Sequence, residues 1–228
     1  MNWREFWDGE HAIYVNARHK TLHYERIARD IVALLPKGGV ALDHGAGEAL
    51  SADAVAAACS RLYLYDAAPS VQQKLAARFS DDARIGVLDD AGLAGLADES
   101  LDAVVVNSLL QYLTREEFVA LLDFWRGKLK PGGKLILGDV IPPDVGPLDD
   151  VKALMTFALQ GGFLFAAAAG LARTFFSDYR KLRAENPLTT YAGEAMARLL
   201  DAHGFSGARE ARNIGHNQAR MTFLARRR

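Results

Sequence analysis

Apolar and polar positions along this chain follow two rhythms. Before residue 36, Tyr24, Ile27, Ile31, Leu34 and Leu35 recur at helical spacing, and Pro36-Lys37-Gly38-Gly39 stops the element. Short runs with few polar residues follow: VALDHG (40–45), RLYLYDA (61–67), RIGVLD (84–89), DAVVVNS (102–108) and KLILGDV (134–140). Such runs read as parallel strands buried on both faces. Helical patterns separate them, most clearly TREEFVALLDFWRGKL (114–129). There Thr114 and Glu117 make a capping box, and Phe118, Leu121, Leu122, Trp125 and Leu129 form the apolar stripe. Lys130-Pro131-Gly132-Gly133 then turns the chain into the next strand.

Repeated strand–helix units predict an α/β fold with an open, doubly wound, mostly parallel sheet and a ligand site at the carboxyl ends of the strands. The residues closing those strands are Asp43 to Gly47, Asp66, Asp89 or Asp90, Asn107 to Tyr112, and Asp139. Beyond Asp139 the rhythm changes. A long apolar segment (147–176), a charged stretch SDYRKLRAEN (177–186) and a helix near 191–203 precede two further strands, GAREARNI (207–214) and ARMTFLAR (219–226). GHNQ between them predicts a tight antiparallel connection at the sheet edge. The expectation is a single domain of seven strands. Residues 1–37 form a helical segment, 38–141 the ligand-binding core, 142–190 a helical cap, and 191–228 the last helix and edge strands.

Composition narrows the function. The 228 residues are 50% hydrophobic, enough for a full core, and Lys+Arg 27 against Asp+Glu 28 leaves a net charge of −1. That balance lacks the basic excess of nucleic-acid binding. The single cysteine, Cys59, has no partner for an internal disulfide, and MNWREFWDGE carries acids and no apolar stretch, which reads as cytoplasmic. Residues 153–172 carry no charge over twenty positions, about a bilayer's span. A transmembrane span there would strand the last two strands across the membrane from the first five, and Gln160-Gly161-Gly162 reads as a break between two helices.

The most informative stretch is VALDHGAGEAL (40–50). Gly45 and Gly47 match the start of a dinucleotide fingerprint, but Leu50 stands where the third glycine would be. Asp43 precedes the glycines. Asp66 closes the next strand twenty-one residues after Gly45, where an acid accepts hydrogen bonds from both hydroxyls of an adenosine ribose. The ligand carries adenosine without requiring a pyrophosphate.

Here the sequence resembles the class I S-adenosylmethionine-dependent methyltransferases of the small-molecule type. The resemblance is close over residues 38–141. It rests on Asp43, Gly45 and Gly47, on Asp66, and on LDDAGLAGLADESLDAVVVNSLLQYL (88–113) followed by LKPGGKLILGD (129–139). It implies a Rossmann-like methyltransferase fold with S-adenosylmethionine as cofactor. Gly45, Ala46 and Gly47 would border the methionine part, and Asp43 would orient the turn or the ammonium group. Asp66 would take the ribose hydroxyls, with Ala67 beside the ring. Asp90 with Ala91, or Asp89 in the alternative register, would meet the adenine amino group, and Asn107 and Ser108 would pass beneath the sulfonium. The family's N-terminal segment often folds over the cofactor, which raises Tyr14 and Arg18 as contacts. His44 would lend its main chain only, because on a strand its side chain points opposite to Asp43. Asn107-Ser108-Leu109-Leu110 lacks the Pro-Pro-aromatic sequence of amide and adenine methylases.

A sulfonium methyl is already activated, so the protein must align a nucleophile and, for a hydroxyl, supply a base. Asp139, Tyr112 and His19 are the catalytic candidates, with His23 and His216 behind them. His19 and His23 lie four apart but lack a third ligand, so no metal is expected. The apolar segment becomes a cap with Phe157, Phe163 and Phe165 as walls, which points to a small apolar or aromatic acceptor. Docking of that face on a membrane surface, or on a second copy as a homodimer, is the alternative. The rival functions are an NAD(P)-dependent oxidoreductase, which Leu50 disfavours, and a non-catalytic S-adenosylmethionine-binding module.

Overall fold

The computed structural model describes residue 8, residues 14–175 and residues 187–228; the charged stretch 177–186 lies outside the described residues. Strands β1 (Val40–His44), β2 (Arg61–Tyr65), β3 (Ile85–Leu88), β4 (Leu101–Asn107) and β5 (Leu129–Val140) run parallel. Strand β7 (Met221–Arg227) pairs antiparallel with β5, and β6 (Phe205–Arg209) pairs antiparallel with β7 at the edge. The spatial order is β3-β2-β1-β4-β5-β7-β6. Strand order therefore reverses between β1 and β4, and the crevice beyond their carboxyl ends is where such sheets bind ligands.

Alternate residues of the central strands feed two cores, as the strand period of two requires. On one face, α5 (Arg115–Lys128) buries Phe118, Leu122 and Trp125 against Leu42, Val104 and Leu135. On the other, α1 (Ala17–Leu34), α2 (Ala52–Ala56) and α3 (Pro69–Arg78) bury Ala28, Ile31, Val55 and Leu75 against Ala41, Leu62, Val105 and Ile136. The Thr114–Glu117 capping box starts α5 as expected. The short α4 (Asp90–Ala94) follows β3, and α8 (Gly193–Ala202) packs on β6.

Two expectations need correction. Strand β5 begins at Leu129 rather than after the glycines: its register jumps from Leu101↔Leu129 to Ala103↔Lys134, so residues 130–133 bulge out of the ladder, with Gly132 at φ +76°. The β6–β7 connection is also not a tight turn at GHNQ. Strand β6 starts earlier, at the fully buried Phe205, and ends at Arg209, so residues 210–220 form a long loop. That loop folds inward because Asn213 hydrogen-bonds the end of β5.

The apolar segment forms two helices, α6 (Pro147–Gly161) and α7 (Leu164–Phe175), broken where Gly162 adopts a left-handed φ of +72°. Among the described residues no helix is long and apolar enough to cross a membrane. Phe157 and Phe163 are buried in this cap, whereas Phe165 is 91% exposed and is not a pocket wall.

His44 lies within the core. Its Nδ1 accepts from Nε1 of the fully buried Trp125 at 3.2 Å, and burial lowers its pKa to about 4, so the ring is neutral and free to accept. His44→Leu should leave the indole N–H buried without an acceptor. The expected cost is about 1–3 kcal/mol, read as a fall of several degrees in Tm, while titration shows unchanged S-adenosylhomocysteine affinity.

Candidate active site

The turn after β1 is built from backbone groups. Gly45 and Gly47 have φ of +87° and +56°, a region L side chains rarely adopt. The N–H groups of Gly45 and Ala46 both donate to Tyr65 O, at 2.8 and 2.9 Å, tying β1 to the end of β2. A Cβ on Gly45 would lie 3.0 Å from Leu109 Cδ2. Asp66 then spans the crevice: Oδ2 accepts from Gly47 N and Oδ1 from Ala68 N, both at 2.9 Å. Ala67 lies between them in sequence, and Pro69 opens α3 behind Ala68, as the sequence predicts.

Asp43 sits beneath this turn. Burial, and then the charge of Asp66, push its carboxyl up to about 7; burial also raises Asp66, against the pull of its two backbone donors. Neither carboxylate is paired with a basic side chain among the described residues. Two crowded, desolvated carboxylates suit a ligand that brings positive charge.

At the neighbouring strand ends, the two adjacent aspartates divide their roles. Asp89 caps α4, accepting from Gly92 N at 2.7 Å, whereas Asp90 Oδ1 accepts from Tyr65 OH at 2.9 Å and stands on the same edge as Asp66. Ala91 follows, exposed, in the first turn of α4. After β4, Ser108 takes a left-handed φ of +56°, and its Oγ receives a hydrogen bond from Asn107 Nδ2 and donates to Asp139 Oδ2 at 2.8 Å.

Asp139, at the end of β5, is the hub of a network. It is left-handed too, at φ +61°. Its Oδ2 meets Arg220 Nη1 at 2.6 Å, and Arg220 Nη2 reaches Asp150 Oδ1 of the cap helix α6 at 3.0 Å. Asn217 Nδ2 donates to the same Asp150 oxygen, and Asn213 Oδ1 accepts from Asp139 N. Bonded to Ser108, Arg220 and Asn213, Asp139 ties sheet, loop and cap together.

The N-terminal helix closes the other side. The Tyr24 hydroxyl hydrogen-bonds Tyr14 and the backbone of Glu48, and lies 3.8 Å from a Cβ built at Gly47. Burial and then Tyr24 raise the pKa of Tyr14, and Tyr112, in the 3₁₀ turn after β4, lies close enough to add to it. His19 stacks on Phe163 with centroids 5.1 Å apart, and its Nδ1 accepts from Val15 N. His216, from the inward loop, stacks on Phe157 at 4.6 Å. His23 lies between Tyr14 and His216, at 5.5 and 5.7 Å. Burial lowers the pKa of His19 to about 4 and of His23 to about 3, and it lowers His216 as well, so all three rings are neutral at pH 7. Among the described residues no three His, Cys, Asp or Glu side chains could hold a metal ion.

The structure thus brings Asp43, Asp66, Asp90, Asn107, Ser108 and Asp139 to one edge, with Tyr14 and His19 facing them from α1 and the segment before it. Arg18 is placed elsewhere: it is exposed, and its Nε donates to Gly161 O at the break in the cap, because its position on α1 faces α6 rather than the glycine turn. Sequence reading missed Tyr24, hidden among the helix's apolar spacings, and Arg220, whose partners lie 81 and 70 residues away.

Residues 42–137 match the family model described as a methyltransferase domain. No curated protein matches the chain by sequence. Among solved structures, the chain is similar to the putative methyltransferase bound to its Trm112 activator from Haloferax volcanii, with 14% identity, a TM-score of 0.60, and 99% of this chain and 98% of that one covered. It is similar to the N-methyltransferase NodS from Bradyrhizobium japonicum WM9 in complex with S-adenosylhomocysteine, with 16% identity, TM-score 0.57, and coverage of 98% and 94%. It is also similar to the magnesium protoporphyrin IX methyltransferase of Synechocystis PCC 6803 with bound S-adenosylmethionine, with 17% identity, TM-score 0.57, and coverage of 99% and 89%.

Two variants probe the site. Gly45→Val adds a Cβ against Leu109 at a left-handed position and should abolish S-adenosylhomocysteine binding in calorimetry. Burial favours the neutral form of Asp43, so the stability this group contributes is full below its ordinary 3.8 and is lost as pH rises through about 7. Asp43→Asn should therefore raise Tm at pH 8, by about 2–4 °C per kcal/mol relieved, while weakening cofactor binding at least about tenfold, some 1.4 kcal/mol. A Tm that falls at pH 8 would contradict this account of the buried carboxyl.

Proposed function

We propose that the chain is a class I S-adenosylmethionine-dependent methyltransferase, a reading that its methyltransferase-domain match over residues 42–137 and its fold support, and that it methylates a small, largely apolar or aromatic acceptor and releases S-adenosylhomocysteine. When bound, the cofactor supplies a sulfonium methyl that needs no further activation. The residues present fit it: the unpaired Asp43–Asp66 pair suits its positive charge, and the glycine turn lets the backbone approach closely. In this reading Gly45, Ala46 and Gly47 border the methionine part, and Asp43 holds its ammonium group. Asp66 takes the ribose hydroxyls, using oxygen lone pairs beyond those given to Gly47 and Ala68. Ala67 packs beside the ring, and Asp90 with Ala91 meets the adenine amino group, since Asp89 is spent on capping α4. Asn107 and Ser108 line the floor below the sulfonium, and Tyr14 with Tyr24 closes the turn from above.

The acceptor class rests on one observation: the imidazole–phenyl stacks His19–Phe163 and His216–Phe157 stand beside the cofactor turn, on the cap side. Flat, uncharged walls favour an apolar or aromatic molecule. His19 and Tyr112 are the chain's own candidates to order the acceptor's nucleophile. Asp139 contributes by holding the cap down through Arg220.

Incubation with methyl-labelled S-adenosylmethionine and a fractionated metabolite extract should move the label into organic-soluble small molecules. Phe157→Ala should raise KM for that acceptor several-fold with cofactor affinity unchanged. Label confined to protein, RNA or charged metabolites would refute the acceptor class.

A further inference from the structure

Two histidines of α1 and one from the inward loop converge here, and burial lowers the pKa of each. Ring centroids of His19, His23 and His216 are 5.7–6.3 Å apart. His23 and His216 are half-buried, and desolvation is the main cause that lowers the pKa of both rings. His23 Nδ1 is buried with no hydrogen-bond partner, whereas His19 Nδ1 has Val15 N. A buried nitrogen left unpaired is costly unless a ligand or water satisfies the ring.

The charges nearby are already matched. Arg220 lies between Asp139 and Asp150, Lys20 pairs with Glu48 at 2.6 Å, and Arg26 approaches Asp30 at 3.4 Å. The burial that keeps three imidazoles neutral penalises an ammonium group in the same way. The walls are parallel ring pairs, at 19° for His19–Phe163 and 12° for His216–Phe157, so a flat molecule extends the stacking.

From this geometry we propose that His23 is the specificity-determining residue of the acceptor pocket and that the acceptor is a neutral planar aromatic bearing a hydroxyl, which hydrogen-bonds the His23 imidazole. The inference rests on the methyltransferase reading above and sharpens its acceptor class. Neutral imidazole both donates and accepts, so it discriminates a hydroxyl from bare hydrocarbon, whereas phenyl walls do not. His19 and His216 complete the flat walls, and their neutrality keeps ions out.

The test uses the full-length protein saturated with S-adenosylhomocysteine, titrated with 2-naphthol, naphthalene, 2-naphthoate and 2-naphthylmethylammonium. Expected is binding of 2-naphthol about tenfold tighter than each of the others, the worth of one good hydrogen bond. His23→Phe should erase the preference of 2-naphthol over naphthalene, while His23→Gln, which keeps a hydrogen-bonding head, should retain it. Unchanged S-adenosylhomocysteine affinity in both variants shows that the fold is intact. Equal binding of the anion or the cation, no binding of 2-naphthol, or an unaltered preference in His23→Phe would overturn the proposal. Loss of S-adenosylhomocysteine binding by the unmodified protein would instead overturn the methyltransferase reading, and this one with it.

Discussion

The crevice depends on one carboxylate. Asp66 reaches from the end of β2 to the backbone N–H of Gly47 and of Ala68, and so holds the glycine turn against the start of α3. Without that bridge the left-handed turn would have two orphaned donors and no fixed distance to the next strand. The bridge also explains why a second carboxylate, Asp43, can be tolerated in the same desolvated space. Among the described residues the turn is held by hydrogen bonds rather than by ion pairs, and burial together with Asp66 raises the pKa of Asp43 to about 7. Ligand binding and structural integrity thus use different properties of the same acid.

The opposite half of the site is organised by cancellation. Arg220 joins Asp139 at the sheet to Asp150 on α6, while Asn213 Nδ2 donates to Asp139 Oδ1 and Asn217 Nδ2 to Asp150 Oδ1. Truncating one member of such a network strands the others, so it fixes where the cap sits on the sheet. Around it the histidines are neutral and the phenyl rings stacked. In the proposed reading, a charged cofactor half and an apolar acceptor half meet at Tyr14 and Tyr24. This division fits methyl transfer, in which the charge belongs to the donor and the acceptor must be brought in dry.

The sequence made the cofactor half legible because its signals are local. Strands β1 to β5 read as short, mostly apolar runs; Gly45 and Gly47 announce a turn; Pro69 places the start of α3; Gly162 breaks the cap. The acceptor half was illegible because its members are close only in space. Arg220 looks like one more edge arginine until Asp139 and Asp150 are beside it, and His216 looks like a polar hairpin tip until Phe157 lies under it. Strand β6 was misplaced because four of its five residues are exposed, leaving no hydrophobic alternation to set the register. Arg18 bonds at the break in the cap and Phe165 is exposed, because helical spacing indicates a face but not which neighbour covers it.

The strand order has a consequence for how the chain is made. β5 is hydrogen-bonded on its outer side only by β7, so Lys134 to Val140 remain an open, apolar edge until residues 221–227 have left the ribosome. The methyltransferase-domain match ends at residue 137, on that same strand. The segment that carries the recognisable core therefore folds with one flank bare, and the loop bearing His216 arrives with the strand that covers it. Emergence of β7 and the loop before it thus sets His216 on Phe157 and covers the open edge of β5 together.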